Sequence, residues 1–180
     1  MPFDTDKKII DLRIRKTIPP KFRNLETDKE IKPCMDKSLF IYGGSGTGKT
    51  VFVCTVAKEY IKKGERVRFY SYPKLLMELQ NLYFKGSTEL TAVDLAKDIA
   101  DFNGVIILDD LGSEKVTAFT RQLTYYVINE REQWLMPLII TSNFSLDEID
   151  RKIDSRISSR IAGMCEIIRL KGKDRRIKSQ

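Results

Sequence analysis

The sequence predicts an α/β fold built around a five-stranded, mostly parallel sheet with helices on its faces. Two observations lead to this class. Short apolar runs alternate with longer segments of helical periodicity, and glycine or proline separates many of them. The chain has 180 residues, 42% hydrophobic and 32% charged, which is enough for one domain with a sizeable core. A chain that is disordered or a coiled coil throughout is therefore excluded.

The predicted strands are all short and apolar, and they cover residues 38–42, 66–71, 105–108, 138–141 and 165–170. The predicted helices lie between them, at residues 50–63, 74–84, 91–102 and 117–135, with a shorter helical region at 146–162. Gly64 ends the first helix, Thr91 and Asp94 form a capping signal for the third, and Pro137 stops the fourth. We expect residues 1–37 to form an N-terminal arm laid over the core, and residues 38–180 to form the core domain itself.

Composition excludes several classes of function. The sequence contains no histidine, so catalysis by an imidazole base and histidine metal sites are both excluded. The three cysteines, Cys34, Cys54 and Cys165, form no C-x-x-C pair, which argues against a disulfide framework and a zinc site. Because the sequence has neither a long apolar run nor a signal-peptide pattern, we expect a cytoplasmic protein with no membrane partner.

The net charge of +7 is concentrated at one end of the chain. Residues 151–180 carry ten Lys or Arg and three acids, so the rest of the chain is formally neutral. A basic end on a neutral body favours a polyanionic partner or a phosphate-bearing ligand. The alternative interpretation is a tail that is only solvated.

The strongest motif is a complete match to the P-loop pattern G-x-x-x-x-G-K-[ST], placed between a predicted strand and a predicted helix. The backbone N–H groups of its first six residues are expected to wrap the α- and β-phosphates of a nucleotide at the helix N-terminus. These residues are Gly43, Gly44, Ser45, Gly46, Thr47 and Gly48. Lys49 is then expected to reach the β- and γ-phosphates, and the Thr50 hydroxyl to bind Mg²⁺.

Two adjacent acids, Asp109 and Asp110, end the apolar strand at residues 105–108. Like charges side by side repel, so a cation such as Mg²⁺ is the natural partner for this pair. We expect Asp109 to be the magnesium-side acid and Asp110 to act as general base toward the attacking water. The alternative is a solvated strand end before a turn at Gly112.

Asn143, Arg156 and Arg160 are further candidate site residues. Asn143 follows the strand at residues 138–141, at the sheet edge where ligands bind in α/β proteins, although a plain turn residue is the alternative. Arg156 and Arg160 are four residues apart and so share one helix face. They are expected either to be solvated or to project into a neighbouring subunit's nucleotide site as arginine fingers.

Taken in order, these motifs resemble a known family. The P-loop is followed by Asp-Asp-Leu-Gly, Thr-Ser-Asn and Ser-Arg-Ile, then by Gly-Lys-Asp-Arg-Arg at residues 172–176, and the segment 18–24 precedes them all. This pattern resembles the AAA+ ATPases of the bacterial replicative helicase loaders, of the DnaC/DnaI type, and the related transposition ATPases of the IstB type. The resemblance covers about residues 17–178.

The resemblance implies a role for each matched residue. Lys49 and Thr50 correspond to the Walker A residues, and Asp109 and Asp110 to the Walker B pair, with Asp110 standing where most AAA+ proteins have Glu. Asn143 matches sensor 1. Three arginines match the remaining motifs: Arg160 the trans-acting finger, Arg156 its companion, and Arg176 the sensor 2-like residue that contacts the nucleotide.

The resemblance also implies partners and boundaries. Loaders of this type end soon after the fifth strand, so no C-terminal lid domain is expected. About sixteen residues precede the lead-in, so the loaders' N-terminal helicase-binding domain is expected to be absent or its helicase contact to be made differently. The helix that begins near Lys74 matches a family-specific extra helix, which implies contact with single-stranded DNA. Lys74 and Tyr72 are candidates for that contact, whereas Tyr83 and Phe84 are interpreted as core residues.

Three functions are compatible with these motifs. The first is a helicase loader, an ATPase that binds ATP and Mg²⁺, assembles head to tail, and contacts single-stranded DNA and a replicative helicase. The second is a transposition-helper ATPase that acts on duplex DNA. The third is a nucleotide-dependent adaptor with negligible hydrolysis. This alternative stands because Asp110, shorter than the usual Glu, is expected to position the attacking water less well.

Overall fold

The structure, a computed structural model, describes residues 3–25, 37–85, 91–113 and 117–172. Its strands are β1 (Ser38–Tyr42), β2 (Val67–Ser71), β3 (Val105–Leu111), β4 (Leu138–Ser142) and β5 (Cys165–Arg169). Its helices are α1 (Phe3–Thr17), α2 (Lys49–Lys62), α3 (Tyr72–Lys85), α4 (Ala92–Ala100), α5 (Ala118–Gln133), α6 (Leu146–Lys152) and α7 (Ser155–Met164). A 3₁₀ turn, Pro20–Phe22, follows α1.

The strands form one five-stranded sheet in the order β2-β3-β4-β1-β5, and every pairing is parallel. The predicted α/β class is confirmed. Because parallel strands end at the same edge, the turn after β1 and the acids at the end of β3 are brought to one side of the sheet. This edge is where a ligand site is expected.

Helices cover both faces of the sheet, so the fold has three layers. The alternation of β1 shows this directly: Leu39 and Ile41 pack with α1 and α2 on one face, and Phe40 packs with α3, α4, α5, α6 and α7 on the other. The central strands β3 and β4 are buried on both faces, which explains their almost continuous apolar sequence.

The first 37 residues contain a helix that the sequence did not predict. Helix α1 is strongly polar, with Ile9 and Leu12 among its exposed residues, so its apolar periodicity is weak. Ile18, just beyond its end, is 1% exposed and belongs to the same apolar cluster as α2. The predicted helical region at 146–162 is two helices, separated at Ile153 and Asp154, where Asp154 caps α7.

A buried arginine joins three elements at the opposite edge of the sheet. Arg131 is 0% exposed and donates to the carbonyls of Ile99, Ala100, Phe102, Gly104 and Pro137. Burial lowers the pKa of Arg131 to about 10. The guanidinium thereby supplies hydrogen-bond donors to carbonyls at the end of α4 and before β3 and β4, where the carbonyl of Pro137 also accepts from the backbone N–H of Ile106.

Candidate functional site

The turn between β1 and α2 brings the P-loop residues to the carboxyl edge of the sheet. Two of its glycines are required by geometry. A Cβ on Gly43 would lie 2.3 Å from the carbonyl oxygen of Leu170, and Gly48 caps α2 with a φ of +94°, which L side chains rarely adopt. The loop therefore leads directly into the N-terminus of α2, whose first N–H groups have no intrahelical partner and favour an anion.

Lys49, the first residue of α2, is buried beneath this loop. Its ammonium donates to the carbonyl oxygens of Gly43 at 2.8 Å and Gly44 at 2.9 Å, and to Asn143 Oδ1 at 2.7 Å. A positive charge is thus held at the mouth of the P-loop by neutral acceptors. A phosphate oxygen, which carries charge, would be a stronger acceptor for the same ammonium.

Asp109 lies at the end of β3, between two threonine hydroxyls. Thr50 Oγ1 donates to its two carboxylate oxygens at 3.2 and 3.1 Å, and Thr141 Oγ1 donates at 2.7 Å. Burial raises the pKa of Asp109, and these two hydrogen bonds oppose that shift. A buried carboxylate beside a hydroxyl is an all-oxygen donor set, the kind that Mg²⁺ prefers. The residues present therefore fit the expected cation.

Asp110 faces the site because the β3–β4 ladder is irregular at this point. The register shifts between Leu108 and Leu111, and Asp110 has a φ of +71°. Its backbone N–H donates to Thr141 Oγ1 at 2.8 Å, and its carboxylate accepts from Asn143 Nδ2 at 3.1 Å. Asn143 therefore joins Lys49 on one side to Asp110 on the other.

Two cavities meet at the P-loop. One, of about 360 Å³, is lined by Ser45, Gly46, Gly48, Lys49 and Thr50, by Asp109, Asp110 and Asn143, and by three residues of the N-terminal segment. The other, of about 540 Å³, is lined on the β5 side by Gly43, Gly44, Thr47, Asn143, Arg169 and Lys171. The structure thus brings all eight P-loop candidates, both acids and Asn143 together.

The N-terminal part of the first cavity consists of residues that no motif singles out. Lys21, Phe22 and Leu25 line it beside the P-loop. Lys21 and Phe22 belong to the segment 18–24 that resembles a family lead-in, but that resemblance predicted no contact for either residue, and Leu25 lies just beyond it. An apolar and aromatic wall therefore continues from the phosphate-binding loop.

Arg156 and Arg160 share a face of α7, as predicted, and line a third cavity together with Tyr125 and Glu132. Arg160 donates to the carboxylate of Glu132 and, at 3.4 Å, to the hydroxyl of Tyr125. Arg156 is held by Asp154 at 2.9 Å and lies 4.8 Å from the centre of the Tyr125 ring. Both guanidiniums thus have partners within their own chain. Arg176 lies outside the described residues.

The predictions for the extra helix need correction. Tyr83 and Phe84 are not core residues: they are 57% and 81% exposed. The Tyr83 ring packs at the surface on Phe119, near the start of α5, at a centroid distance of 4.1 Å. Tyr72 is not available for DNA, since it is 1% exposed and its hydroxyl shares a hydrogen bond of 2.9 Å with Thr124. Lys74 is exposed.

The fold and the P-loop site together define a P-loop domain of the AAA+ class. A crystal structure of the DnaC helicase loader aligns with a TM-score of 0.63 at 27% identity, over 90% of this chain and 86% of that one. A structure of the replication initiator DnaA bound to AMPPCP and single-stranded DNA aligns with a TM-score of 0.69, over 87% of this chain and 51% of that one. At 20% identity, the second likeness concerns the fold alone.

The chain belongs to the family of IstB-like ATP binding proteins, whose model matches residues 22–180. It is also 28% identical, over 153 residues, to the replicative helicase loader DnaI of Bacillus subtilis (strain 168). That alignment covers 78% of this chain and 48% of DnaI, so the chain spans about half the length of this curated relative. None of the helices in the described residues is both long and apolar enough to cross a membrane.

Proposed function

We propose that this protein is a helicase loader that binds and hydrolyses ATP in the cytoplasm. The observation that carries the proposal is the contact network of Lys49, Thr50, Asp109, Asp110 and Asn143 at the carboxyl edge of the sheet. Membership of an ATP-binding family and the likeness to DnaI and DnaC support it. Residues 38–180 form the ATPase core in this proposal, and residues 1–37 form an arm and lead-in.

The nucleotide is held by groups that the structure already orients. The P-loop amides and Lys49 bind the phosphates, and Lys49 exchanges the carbonyls of Gly43 and Gly44 for phosphate oxygens. Thr50 and Asp109 would hold Mg²⁺, which would supply positive charge against the phosphates. Arg176 contributes a further cation to the nucleotide.

Asp110 and Asn143 act on the water. The Asp110 carboxylate accepts a proton from the attacking water, and the Asn143 amide orients that carboxylate through its 3.1 Å hydrogen bond. The side chain of Asp110 is one methylene shorter than that of Glu. The position of its carboxylate therefore depends more on the hydrogen bond from Asn143 than the position of a longer Glu side chain would. We propose slow hydrolysis that assembly or DNA stimulates.

Arg160 acts on a neighbouring subunit. In its own chain it contacts Glu132 and Tyr125, away from the two cavities at the P-loop. We propose that copies assemble head to tail, so that Arg160 reaches the next subunit's γ-phosphate, with Arg156 as its companion.

The loader's partners are single-stranded DNA and a replicative helicase. Tyr83 and Phe84 offer exposed aromatic faces on α3, and Lys74 lies exposed near the start of the same helix. Aromatic faces stack on bases without requiring a particular sequence, and lysines track the backbone. The helicase is proposed from the names of the relatives, DnaI and DnaC.

Calorimetric titration of ATP·Mg²⁺ tests the nucleotide site. Lys49→Ala is expected to abolish binding with little change in the melting temperature of the free protein, since its charge serves the phosphates. Lys62→Ala, on the exposed side of α2 and paired with Glu59, is the matched control and should bind normally. Retained affinity in Lys49→Ala would disprove the P-loop assignment.

Fluorescence anisotropy, a pull-down and a turnover assay separate the three functions. A loader binds single strands in a salt-dependent manner and captures replicative helicase when ATP is present. A preference for duplex DNA together with capture of transposase favours the transposition helper. Normal ATP binding with no measurable turnover favours the adaptor.

A further inference from the structure

A buried lysine outside the P-loop contacts the N-terminal segment. Lys58, in the third turn of α2, is only 6% exposed, and its ammonium donates to the carbonyl oxygen of Leu25 at 2.6 Å. Burying an ammonium is costly unless it makes good hydrogen bonds. An apolar residue would fill the same space without the cost of burying a charge. The feature that a lysine adds at this position is its hydrogen bond to the Leu25 carbonyl.

Lys58 is related to the nucleotide site through one face of α2. Val51 lies seven residues before it, which is close to two full helical turns, so both residues point the same way. Val51 lines the cavity at the P-loop together with Phe22 and Leu25. The segment from Phe22 to Leu25 therefore lies along this face, with Lys58 at its far end.

The near end of the segment is fixed by a second cation. Arg23 donates to the carbonyls of Ile18 at 3.0 Å and Arg15 at 2.6 Å, which ties the segment to the end of α1. Ile18 is itself buried in the apolar cluster beneath α2. The segment that carries Phe22 and Leu25 is thus anchored at two points, by the side chain of Arg23 and by the Lys58 contact with the Leu25 carbonyl.

The wall that these anchors hold fits the other end of the nucleotide. When the phosphates of a nucleoside triphosphate lie on the P-loop, its flat aromatic base still needs a binding surface. An apolar surface stabilises the base there, because it removes the faces of the ring from water. Leu25 is 43% exposed in the described structure, and Phe22 is half-buried, so both have apolar area that a base could cover.

We infer that Lys58 is a positioning residue that sets the base-side wall of the nucleotide cavity by holding the Leu25 carbonyl. The inference rests on the proposed function, because it requires that the P-loop binds the phosphates. It assigns to Lys58 an effect on recognition of the base and ribose, and none on recognition of the phosphates.

The test compares two probes in calorimetric titrations of the full chain, ATP·Mg²⁺ and inorganic tripolyphosphate·Mg²⁺. In Lys58→Met, which keeps most of the unbranched side chain and removes the ammonium, the Kd for ATP should rise about tenfold through lost apolar contact. The Kd for tripolyphosphate should stay within about twofold of the unsubstituted protein, because the P-loop is intact. Lys62→Met, one turn further along α2, should change neither.

A second variant keeps the test independent of folding. Leu25→Ser removes the wall itself at a largely exposed position, so it should fold and show the same selective loss of ATP affinity. If Lys58→Met and the unsubstituted protein bound ATP with equal affinity, the inference would be overturned and the proposed function would stand. The same holds if Lys58→Met lost affinity for ATP and for tripolyphosphate to the same extent. If the unsubstituted protein bound neither probe, the proposed function would fail together with the inference.

Discussion

The side chains of Lys49 and Asn143, 94 residues apart in sequence, are joined by a hydrogen bond of 2.7 Å between Nζ and Oδ1. The same amide donates to Asp110 at 3.1 Å, so one neutral side chain connects the phosphate-binding cation with the proposed base. An amide can do this because it has an acceptor and a donor on one rigid group.

Asn143→Ala should slow ATP hydrolysis while ATP affinity changes little. The substitution frees the Asp110 carboxylate from its orienting partner, and a misplaced base costs about 10²-fold or more in rate. In the free protein Lys49 is still held at the P-loop by its two carbonyl partners, and it can still exchange them for phosphate oxygens, so phosphate binding persists. Steady-state turnover and titration measure the two quantities separately, with Asn81→Ala on the exposed side of α3 as the control. Normal turnover would show that Asn143 is a plain turn residue.

The two acids should respond differently to the same change. Asp110→Asn should keep ATP·Mg²⁺ bound and abolish turnover, because an amide accepts no proton from water. Asp109→Asn should also weaken the magnesium dependence of binding, since Asp109 lies against Thr50. Titrations with and without Mg²⁺ check this division of roles. If both variants behave alike, the division is wrong.

Local signals in the sequence predicted most of the fold. The five strands, the P-loop context and the cap at Thr91 were found because each depends on residues close in sequence. Helix α1 was not predicted because its polar composition hides its apolar side. Tyr83 and Phe84 were predicted to be core residues because aromatic residues are usually buried, and sequence alone does not show that Tyr83 packs on Phe119 at the surface.

The sequence predicted the individual residues of the candidate site, but it did not predict the hydrogen bonds between them. The joining of Lys49 to Asp110 through Asn143 depends on the register of β1, β3 and β4. The contact of Lys58 with the Leu25 carbonyl likewise spans 33 residues and involves a backbone atom, which carries no sequence signal. Arg131 is a further case, since its partners are all carbonyls or the sulfur of Met136 in the contacts described.

Arg131→Met should destabilise the fold strongly without touching the nucleotide site. It removes the donor that several carbonyls share at the guanidinium, which costs about 3 kcal/mol of the free energy of unfolding. Urea denaturation measures the loss, and Arg151→Met on the exposed side of α6 is the control and should change stability by under about 0.5 kcal/mol. A loss no larger than that of the control would show that the guanidinium is dispensable.

Asp154→Ala should destabilise the protein in a pH-dependent manner. Asp154 caps α7 at the backbone N–H of Arg156, and hydrogen bonds from Arg156 lower the pKa of its carboxyl. A lowered pKa means that the carboxylate stabilises the fold above the ordinary value of 3.8, and that this contribution is lost as the pH falls through the folded-state value. The variant should lose about 1 kcal/mol at pH 7, as for other cap residues, and progressively less in acid. Unfolding curves between neutral and acid pH check this, and a deficit that is constant with pH would contradict it.

Arg160→Ala should leave ATP binding by isolated subunits near normal and remove the stimulation of turnover by assembly or DNA. Its contacts within the chain are to Glu132 and Tyr125, so its loss does not reach the P-loop of the same subunit. Turnover is measured as a function of protein concentration, with and without single-stranded DNA. Arg156→Ala is the control on the same helix face, and its defect should be the weaker one if Arg160 is the finger.

Mixing two inactive variants tests whether Arg160 acts across a subunit boundary. Lys49→Ala has no working P-loop but an intact Arg160, whereas Arg160→Ala has the reverse. In a mixed assembly, a working P-loop can meet an intact arginine from its neighbour, so part of the turnover should return. Co-assembly is verified first by sedimentation of the mixture, because rescue is expected only where the two variants share assemblies. If co-assembled variants show no rescue, Arg160 does not act in trans, and its contacts with Glu132 and Tyr125 become its whole role.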